Sequence, residues 1–253
     1  MKSIVRSLIC LSLLIFAAGL SACVSYSEAL GNEIVSGSGA LIRIDGPQLT
    51  YILPPPKTDG TMSVEMALAN RRSQRNFQDR AISAEQLSQI LWAAYGITMP
   101  HPAPQLRGGF RTTPSAGALF PLEIHVVIGN VEGIEPGVYR YISEEHKLVR
   151  TINEDVRHEL MIAALRQPMV AHAPVTIVYS AVFSRITGRY GERGIRYAYM
   201  ELGHSAQNVY LQAEALGLGT VAVGAFIDDR VMEILELPVN ETPLYLMPVG
   251  YFY

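Results

Sequence analysis

Residues 114–128 of the chain have the sequence Pro-Ser-Ala-Gly-Ala-Leu-Phe-Pro-Leu-Glu-Ile-His-Val-Val-Ile. The first part is a loop of small residues and prolines, and Leu122–Ile128 is the apolar, β-branched run that is typical of a strand. Gly137–Tyr141 predicts a second strand, and Lys147–Val149 predicts its short hairpin partner. Three strands are therefore expected to follow one small-residue loop.

The rest of the chain adds helices and strands in an irregular order. A helix at 62–69 and a second helix that begins after Ser83 are predicted before the loop. After the three strands, the pattern predicts helices at Glu154–Leu165, Tyr197–Leu216 and Asp228–Leu235, and strands at Pro174–Ser180, Thr220–Phe226 and Leu244–Val249. This order favours an α+β sandwich over a regular alternation of strands and helices.

A second stretch concentrates positive charge. Arg71-Arg72-Ser73-Gln74-Arg75-Asn76-Phe77 places three guanidinium groups and a hydroxyl within seven residues, where the predicted helix at 62–69 ends. A guanidinium group offers a planar fork of donors that matches phosphate oxygens. The stretch therefore predicts an anion site, although the same residues also fit a solvated basic turn.

Composition narrows the classes of function. The chain has 253 residues, of which 49% are hydrophobic and 17% charged, and its net charge is −3. This balance indicates a globular protein and gives no basic surface for nucleic acid. The sequence lacks a Gly-x-Ser-x-Gly elbow, a phosphate loop and a His-Glu-x-x-His motif, and its six histidines lack metal-ligand spacing. No metal site is predicted.

The N-terminal residues predict export. Lys2 and Arg6 precede an apolar run at Leu8–Leu20, and the sequence continues as Ser21-Ala22-Cys23. The last four residues, 20–23, resemble the lipobox of bacterial lipoproteins, in which the cysteine becomes the lipidated first residue. Residues 1–22 are therefore interpreted as a lipoprotein signal peptide, Cys23 as the lipidation site, and the protein as extracytoplasmic and membrane-anchored. An ordinary signal peptide or an uncleaved anchor remain alternatives.

Two further regions are expected after the signal. Residues 23–60 are interpreted as a tether because they are rich in glycine and contain Pro54-Pro55-Pro56, with one short strand at Leu41–Ile44. Residues 61–253 form the predicted folded domain. If there are two membranes, Val24 favours the outer one by the usual sorting preference of lipoproteins.

Three motifs occur in the order found in one known family. They are Arg-x-Ser-x-basic-x-Phe at 71–77, Pro-Ser-Ala-Gly-Ala-Leu-x-Pro-Leu-Glu at 114–123, and the predicted helix with Glu-Leu-Gly-His-Ser-Ala-Gln-Asn at 201–208, which runs to Gly-Leu-Gly at 217–219. With these motifs the chain resembles the FMN-dependent nitroreductase superfamily, in particular its azoline-oxidase branch, over residues 62–250. The resemblance implies a nitroreductase-like three-layer sandwich with a mostly antiparallel sheet, and a homodimer.

The resemblance assigns tasks to the arginine stretch. Arg71 and Ser73 would hold the phosphate and ribityl chain of FMN, with Arg72 beside them. Arg75 would lie over the N1/O2 side of the flavin and act as the catalytic cation, since a fixed positive charge there stabilises the reduced ring.

The resemblance also assigns two backbone segments. The loop formed by Pro114, Ser115, Ala116 and Gly117 would approach the ring from the partner subunit, and Gly224 and Ala225 would present a backbone N–H to flavin N5. The helix Tyr197–Leu216 would lie in the dimer interface. For Glu201, Gln207 and Asn208 a solvated helix face remains an open interpretation.

These features predict an FMN-dependent oxidoreductase. It would transfer hydride by ping-pong chemistry to or from a nitro, quinone or azoline-type substrate, either a small molecule or a peptide. The alternative is a non-catalytic, lipid-anchored binding module that keeps the same fold. Bound FMN in the purified protein would distinguish the two.

Overall fold

The fold is built on one nine-stranded antiparallel sheet. A computed structural model of the chain describes the backbone of residues 34–35 and 42–45 and all of residues 48–253. The strands of the described residues are β1 (Ile34–Val35), β2 (Ile42–Asp45), β3 (Leu49–Ile52), β4 (Ile97–Pro100), β5 (Gly109–Arg111), β6 (Leu122–Ile128), β7 (Gly137–Ile142), β8 (Lys147–Ile152), β9 (Val175–Ala181), β10 (Gly219–Thr220) and β11 (Thr242–Gly250). In the sheet they run in the order β1-β2-β3-β8-β7-β6-β9-β11-β10, while β4 and β5 pair separately.

Helices cover both faces of the sheet. They are α1 (Val64–Asn70), α2 (Ala84–Tyr95), α3 (Arg157–Ala163), α4 (Met169–His172), α5 (Ser184–Tyr190), α6 (Arg193–Ala215) and α7 (Asp228–Ile234). One core joins α2 and α6 to the face of β6 that carries Ile124 and Val126. The other joins α3, α4 and α7 to the face that carries Val127. The central strands β6 and β9 are buried along their whole length because each is packed on both faces.

This three-layer α+β architecture with an antiparallel sheet is the fold class that the sequence predicted. The predicted Ser83 cap of α2 is confirmed as a capping box, since the Ser83 side chain accepts from Gln86 N–H and the Gln86 side chain accepts from Ser83 N–H. At the end of α6, Gly217 has φ +68° and donates to Glu214 O, while Leu218 N donates to Ala213 O. These bonds form the glycine-terminated cap that was expected there.

Two sequence predictions need correction. The strand predicted at Thr220–Phe226 is ordered in the sheet only as Gly219–Thr220, and beyond it only Val223 pairs, with Leu246. The apolar residues of this segment point into the core, but Gly224 and Ala225 are exposed where the chain leaves the sheet. The apolar residues that follow Thr220 are therefore buried without forming a strand.

The second correction concerns the predicted tether. Leu49–Ile52 fall within it, yet they form β3, which pairs with β8, and Tyr51 is only 3% exposed. His146 Nε2 lies 3.0 Å from Pro54 O, and Ser88 Oγ donates to the same oxygen over 2.5 Å, so this segment is fixed to the domain. The short strand predicted at Leu41–Ile44 is confirmed as β2. The signal peptide and Cys23 lie outside the described residues.

Within the part of the chain that the structure describes, no helix is both long and apolar enough to cross a membrane.

Candidate functional site

The arginine stretch lies beside β10, the strand at one edge of the sheet. It follows α1, whose N-terminus is capped by Ser63. Ser73 forms a parallel bridge with Thr220, and Gln74 N donates to Thr220 O over 2.9 Å. Further along, Phe77 bridges Phe252 near the C-terminal end of the described chain. Backbone pairing on both sides therefore fixes the position of residues 73–77.

Tyr210 of α6 connects this stretch to the segment after β10. Its hydroxyl lies 3.0 Å from Ser73 Oγ and accepts from Ala222 N–H over 2.9 Å. The Arg71 guanidinium lies over the Tyr210 ring, 5.5 Å from its centroid. Sequence reasoning missed Tyr210 because its contact with Ser73 spans 137 residues, and no spacing pattern indicates it.

The three arginines differ in their surroundings. Arg72 Nη1 donates to Arg71 O, Ala69 O and Asn70 O, so this side chain caps the end of α1. Arg75 is exposed, and neither Arg71 nor Arg75 forms an ion pair with any residue that the structure describes. The positive charges of Arg71 and Arg75 are therefore available to an anionic ligand.

Gly224 and Ala225 lie in the exposed segment that follows β10. Val223 N donates to Leu246 O over 2.8 Å, and Gln167 Nε2 donates to Ala225 O over 2.9 Å. These bonds hold the segment from both ends. A Cβ on Gly224 would come within 3.3 Å of the Tyr245 ring, so the backbone is already close to its neighbours.

The loop at 114–118 is a tight turn with positive φ angles. Ser115 Oγ accepts from Phe120 N–H over 2.9 Å. Gly117 has φ +63°, and a Cβ there would lie 2.7 Å from the Tyr190 hydroxyl. Pro114 and Gly117 are exposed, while Ser115 and Ala116 are half-buried. A small residue is thus required at Gly117 on steric and conformational grounds.

Glu201 of α6 is hydrogen-bonded to Ser115 of this loop and does not lie on a solvated helix face. It is 1% exposed, and Tyr95 OH donates to its Oε1 through a short hydrogen bond. Burial raises the pKa of Glu201 to about 7, against the opposing hydrogen bonds of Ser115 and Tyr95 and the charge of Arg111. The structure thus contradicts the solvated interpretation for Glu201.

Asn208 holds the start of the same loop. Its Nδ2 donates to Thr112 O over 3.3 Å and to Thr113 Oγ1 over 3.2 Å. Glu201 and Asn208 are separated by seven residues, so they lie on one flank of α6. Gln207 is only half-buried.

The loop and the arginine stretch contact opposite flanks of α6. Tyr210, which binds the arginine stretch, is nine residues after Glu201, and at about 100° per residue it points roughly 180° away. The structure therefore brings Arg71 and Ser73 together with the segment that precedes Gly224, but one chain does not bring Pro114–Gly117 to the same side.

These observations define a three-layer α+β protein in which two arginines without an ion-pair partner among the described residues lie at the edge of an antiparallel sheet. Among the described residues, no group of three His, Cys, Asp or Glu side chains could hold a metal ion. The chain belongs to the nitroreductase family, whose family model matches residues 68–251.

Individual relatives agree with this assignment. The chain is 50% identical over 189 residues to MJ1384 of Methanocaldococcus jannaschii, a protein classed with the nitroreductases, and the match covers 75% of this chain and 91% of that protein. It is 30% identical over 137 residues to the microcin B17-processing protein McbC of Escherichia coli, covering 50% of this chain and 48% of McbC.

The same fold occurs in solved structures. A structure from Ralstonia eutropha, also classed as a nitroreductase, superposes with a TM-score of 0.69 at 24% identity, covering 88% of this chain and 98% of that one.

Proposed function

We propose that this protein is an FMN-dependent oxidoreductase that transfers hydride by ping-pong chemistry. Membership of the nitroreductase family supports the reaction class. The observation that carries the cofactor assignment is the cluster in which Arg71, Ser73 and Tyr210 are joined to the segment after β10, with Arg71 and Arg75 unpaired among the described residues.

The residues present suit the phosphate of FMN. An unpaired guanidinium group is a strong partner for a phosphate dianion, and in this proposal Arg71 donates to it. Arg72 is bonded to the end of α1 and adds positive charge beside the site without leaving that position. When bound, FMN would supply a ring that accepts and donates hydride.

The hydrogen bonds around Tyr210 orient the Ser73 hydroxyl. Tyr210 O accepts from Ala222 N–H, so its own proton can be donated to Ser73 Oγ. The Ser73 O–H is then free to donate outward to a ligand oxygen. Arg75, which is exposed and unpaired in the described chain, would place a fixed positive charge where a ligand gains negative charge.

The backbone at Gly224 and Ala225 offers two donors on the same side of the molecule. Both residues are exposed, and neither N–H donates a hydrogen bond within the described residues. In this proposal they orient the cofactor ring, while Gln167 prevents the segment from moving away.

Hydride transfer through a flavin needs no nucleophilic side chain, so the substrate only has to accept or donate hydride. We propose a nitro, quinone or azoline-type compound as the hydride acceptor or donor. A peptide substrate is the second candidate, and the similarity to McbC, named as the microcin B17-processing protein, favours it; the match covers only 48% of McbC.

We also propose a homodimer in which Pro114–Gly117 reaches the partner's cofactor site. The loop and the arginine stretch lie on opposite flanks of α6, so a second copy is needed to bring them together. Exposed apolar side chains support such an interface: Met66 and Leu68 of α1 and Met200 of α6 are each about half exposed.

The lipid anchor at Cys23 and an extracytoplasmic location are part of the same proposal. They rest on the sequence of residues 1–23 and concern residues outside those that the structure describes.

The purified protein tests the cofactor assignment directly. We expect the absorbance bands of oxidised flavin, release of FMN on denaturation, and bleaching followed by reoxidation with a quinone. Tyr210→Phe removes the hydroxyl that bonds to Ser73 Oγ and Ala222 N–H, and loss of the bond that orients Ser73, about 1 kcal/mol, should weaken FMN binding about fivefold. Arg230→Ala, which affects an exposed side chain of α7 that pairs with Glu233, is the control.

A colourless protein that does not bind added FMN would contradict the proposal. It would favour the alternative of a non-catalytic binding module.

A further inference from the structure

The chain between β3 and α1 is attached to the domain at both ends of residues 53–57, a segment that we call the strap. At its first residue, Leu53 N donates over 3.1 Å to the backbone oxygen of His146, in the turn between β7 and β8. At its last residue, Lys57 N donates to Gln89 Oε1 over 2.8 Å, and Lys57 O accepts from Gln89 Nε2 over 3.0 Å. The strap is thus bonded to α2 and to the turn after β7.

The His146 side chain joins the middle of the strap to α2 and β7. Its Nε2 lies 3.0 Å from Pro54 O and 2.7 Å from Ser88 Oγ. Its Nδ1 lies 2.8 Å from the Tyr141 hydroxyl. Ser88 Oγ also donates to Pro54 O over 2.5 Å. Ser88 and Tyr141 are buried and His146 is half-buried, so water has little access to this cluster.

The hydrogen bonds determine which nitrogen of the His146 ring carries the proton. Pro54 O can only accept, and Ser88 Oγ gives its proton to that oxygen, so Nε2 has to donate towards both atoms. Nδ1 is then the acceptor for the Tyr141 O–H. With a neutral ring in this tautomer, every donor in the cluster has an acceptor.

A second proton on the ring would remove one acceptor. Nδ1 would become a donor, and the Tyr141 O–H that faces it has no other partner among the described residues. Burial lowers the pKa of His146, against the opposing hydrogen bond with Pro54 O. The closed cluster therefore holds a proton on His146 less tightly than water does.

Nearby charges do not reverse this effect. The charged residues on the elements around the ring are Lys57 of the strap, Glu85 of α2, Arg140 of β7, Glu144 and Glu145 of the turn, and Lys147 of β8. Glu144 pairs with Arg111 over 3.1 Å, and Glu145 pairs with Lys147 over 2.7 Å. Arg140 pairs with Glu123, while Lys57 and Glu85 are exposed. Among the described residues, no carboxylate is bonded to the His146 ring.

We propose that His146 is an acid-sensitive latch: the neutral ring holds the strap on α2, and protonation of the ring releases it. Opening exposes the ring to water, where its pKa returns to about 6.5. Because the closed cluster binds the proton less tightly, the latch is fully effective above about pH 6.5 and weakens as the pH falls below that value. Each further pH unit can raise the ratio of open to closed strap by up to about tenfold.

Release of the strap would alter a groove beside α2. The groove has a volume of about 720 Å³, and Pro55 and Lys57 of the strap line it together with Trp92 of α2 and Leu216 of α6. Trp92 is the single tryptophan of the chain, so its fluorescence reports on this groove. The latch shares no residue with the arginine stretch or the Pro114–Gly117 loop, so the proposal does not depend on the cofactor assignment.

Hydrogen exchange of the full chain measures opening of the strap. Protection is followed in the peptides that contain Leu53 and Lys57 and is corrected for the intrinsic effect of pH on exchange. Between about pH 7.5 and pH 5 we expect protection to fall at least about fivefold, with a change in Trp92 fluorescence over the same range. Protection that stays constant would overturn the proposal.

Matched variants show whether His146 is the group that titrates. His146→Asn removes the titrating ring, and asparagine tolerates the φ of +48° at this position. We expect protection of the strap to become independent of pH in this variant. His158→Asn makes the same change at an exposed histidine of α3 and should keep the wild-type fall, as should Glu201→Gln. A wild-type fall in His146→Asn would contradict the latch.

An NMR titration of the His146 ring in the wild-type protein tests the latch without any variant. We expect a pKa clearly below about 6.5 and, at neutral pH, the tautomer with the proton on Nε2. A pKa at or above about 6.5, or a proton on Nδ1 at neutral pH, would overturn the proposal.

Discussion

At the scale of single residues, Arg71 and Arg75 should contribute differently to the proposed cofactor site. Arg71 lies against Tyr210 and is expected to bind the FMN phosphate, so Arg71→Ala should weaken FMN binding by about 2 kcal/mol, roughly thirtyfold. Arg75→Ala should retain oxidised FMN, but its midpoint potential should fall and its reduction should slow, because the charge that stabilises the reduced ring is lost.

Titration of the FMN-free protein with FMN measures the dissociation constant, and potentiometry measures the midpoint potential of the bound flavin. Arg230→Ala should change neither quantity. If both variants bind FMN normally with unchanged potentials, the stretch is a solvated basic turn.

Glu201 gives the protein a predictable dependence of stability on pH. Its pKa is raised to about 7 in the folded protein, above the unfolded value, so the folded state holds this proton more tightly. Protonated Glu201 therefore stabilises the folded state fully below about pH 4.5. As the pH rises to 7 this stabilisation is lost, and the free energy of unfolding falls by at most about 3 kcal/mol.

Glu201→Gln isolates this contribution. Denaturant unfolding is measured at several pH values. Between pH 4.5 and 7 the wild type should lose free energy of unfolding that the variant keeps, because glutamine does not titrate. A difference that is independent of pH would mean that the folded pKa of Glu201 is not raised.

At the scale of elements, the Pro114–Gly117 loop depends on backbone conformation. Gly117→Ala should destabilise the protein by about 1–2 kcal/mol, since φ +63° is unfavourable for alanine and its Cβ would meet Tyr190. Gly188→Ala is the matched control, because a Cβ at this position in α5 meets nothing within 4 Å and alanine favours a helix. Chemical denaturation of both variants measures the effect, and equal stabilities would contradict it.

Local signals predicted the elements well. The Ser83–Gln86 capping box and the Gly217 cap depend on residues within a few positions of one another, so their sequence patterns carry the information. The shortening of the Thr220–Phe226 strand and the addition of β3 depend on which partner strand is present, and that is decided by distant parts of the chain.

The candidate site was predictable only in part for the same reason. The arginine stretch and the small-residue loop stand out in the sequence as clusters of one residue type. Tyr210 and the buried Glu201 do not, because their contacts with Ser73 and Tyr95 span 137 and 106 residues. A carboxylate on a long helix indicates a solvated face unless the packing partner is known.

At the scale of the whole molecule, dimerisation and cofactor retention should be lost together. Met200→Asp places a charge among the exposed apolar residues of α6 and should convert the proposed dimer to a monomer in sedimentation, with loss of the FMN that we propose it binds. Val239→Asp, which places the same charge at an apolar residue that is 95% exposed and lies outside α1 and α6, should change neither property. A wild-type monomer with FMN fully bound would contradict the shared site.

The lipid anchor would place this domain close to a membrane surface. From Cys23 to the start of β1 the chain can span at most roughly 35–40 Å when fully extended. Once residues 1–22 are removed, Cys23 is the single cysteine of the chain, so it is the one thiol available for lipid.

Cys23→Ser should therefore block lipid attachment and release the protein from membranes, while Cys10→Ser, within the apolar run, should leave both unchanged. Labelling with a radioactive fatty acid and separation of membrane and soluble fractions measure the two effects, and the mass of the mature chain shows whether cleavage occurs before residue 23. Retention of Cys23→Ser in membranes at its uncleaved mass would mean that the apolar run acts as a signal anchor.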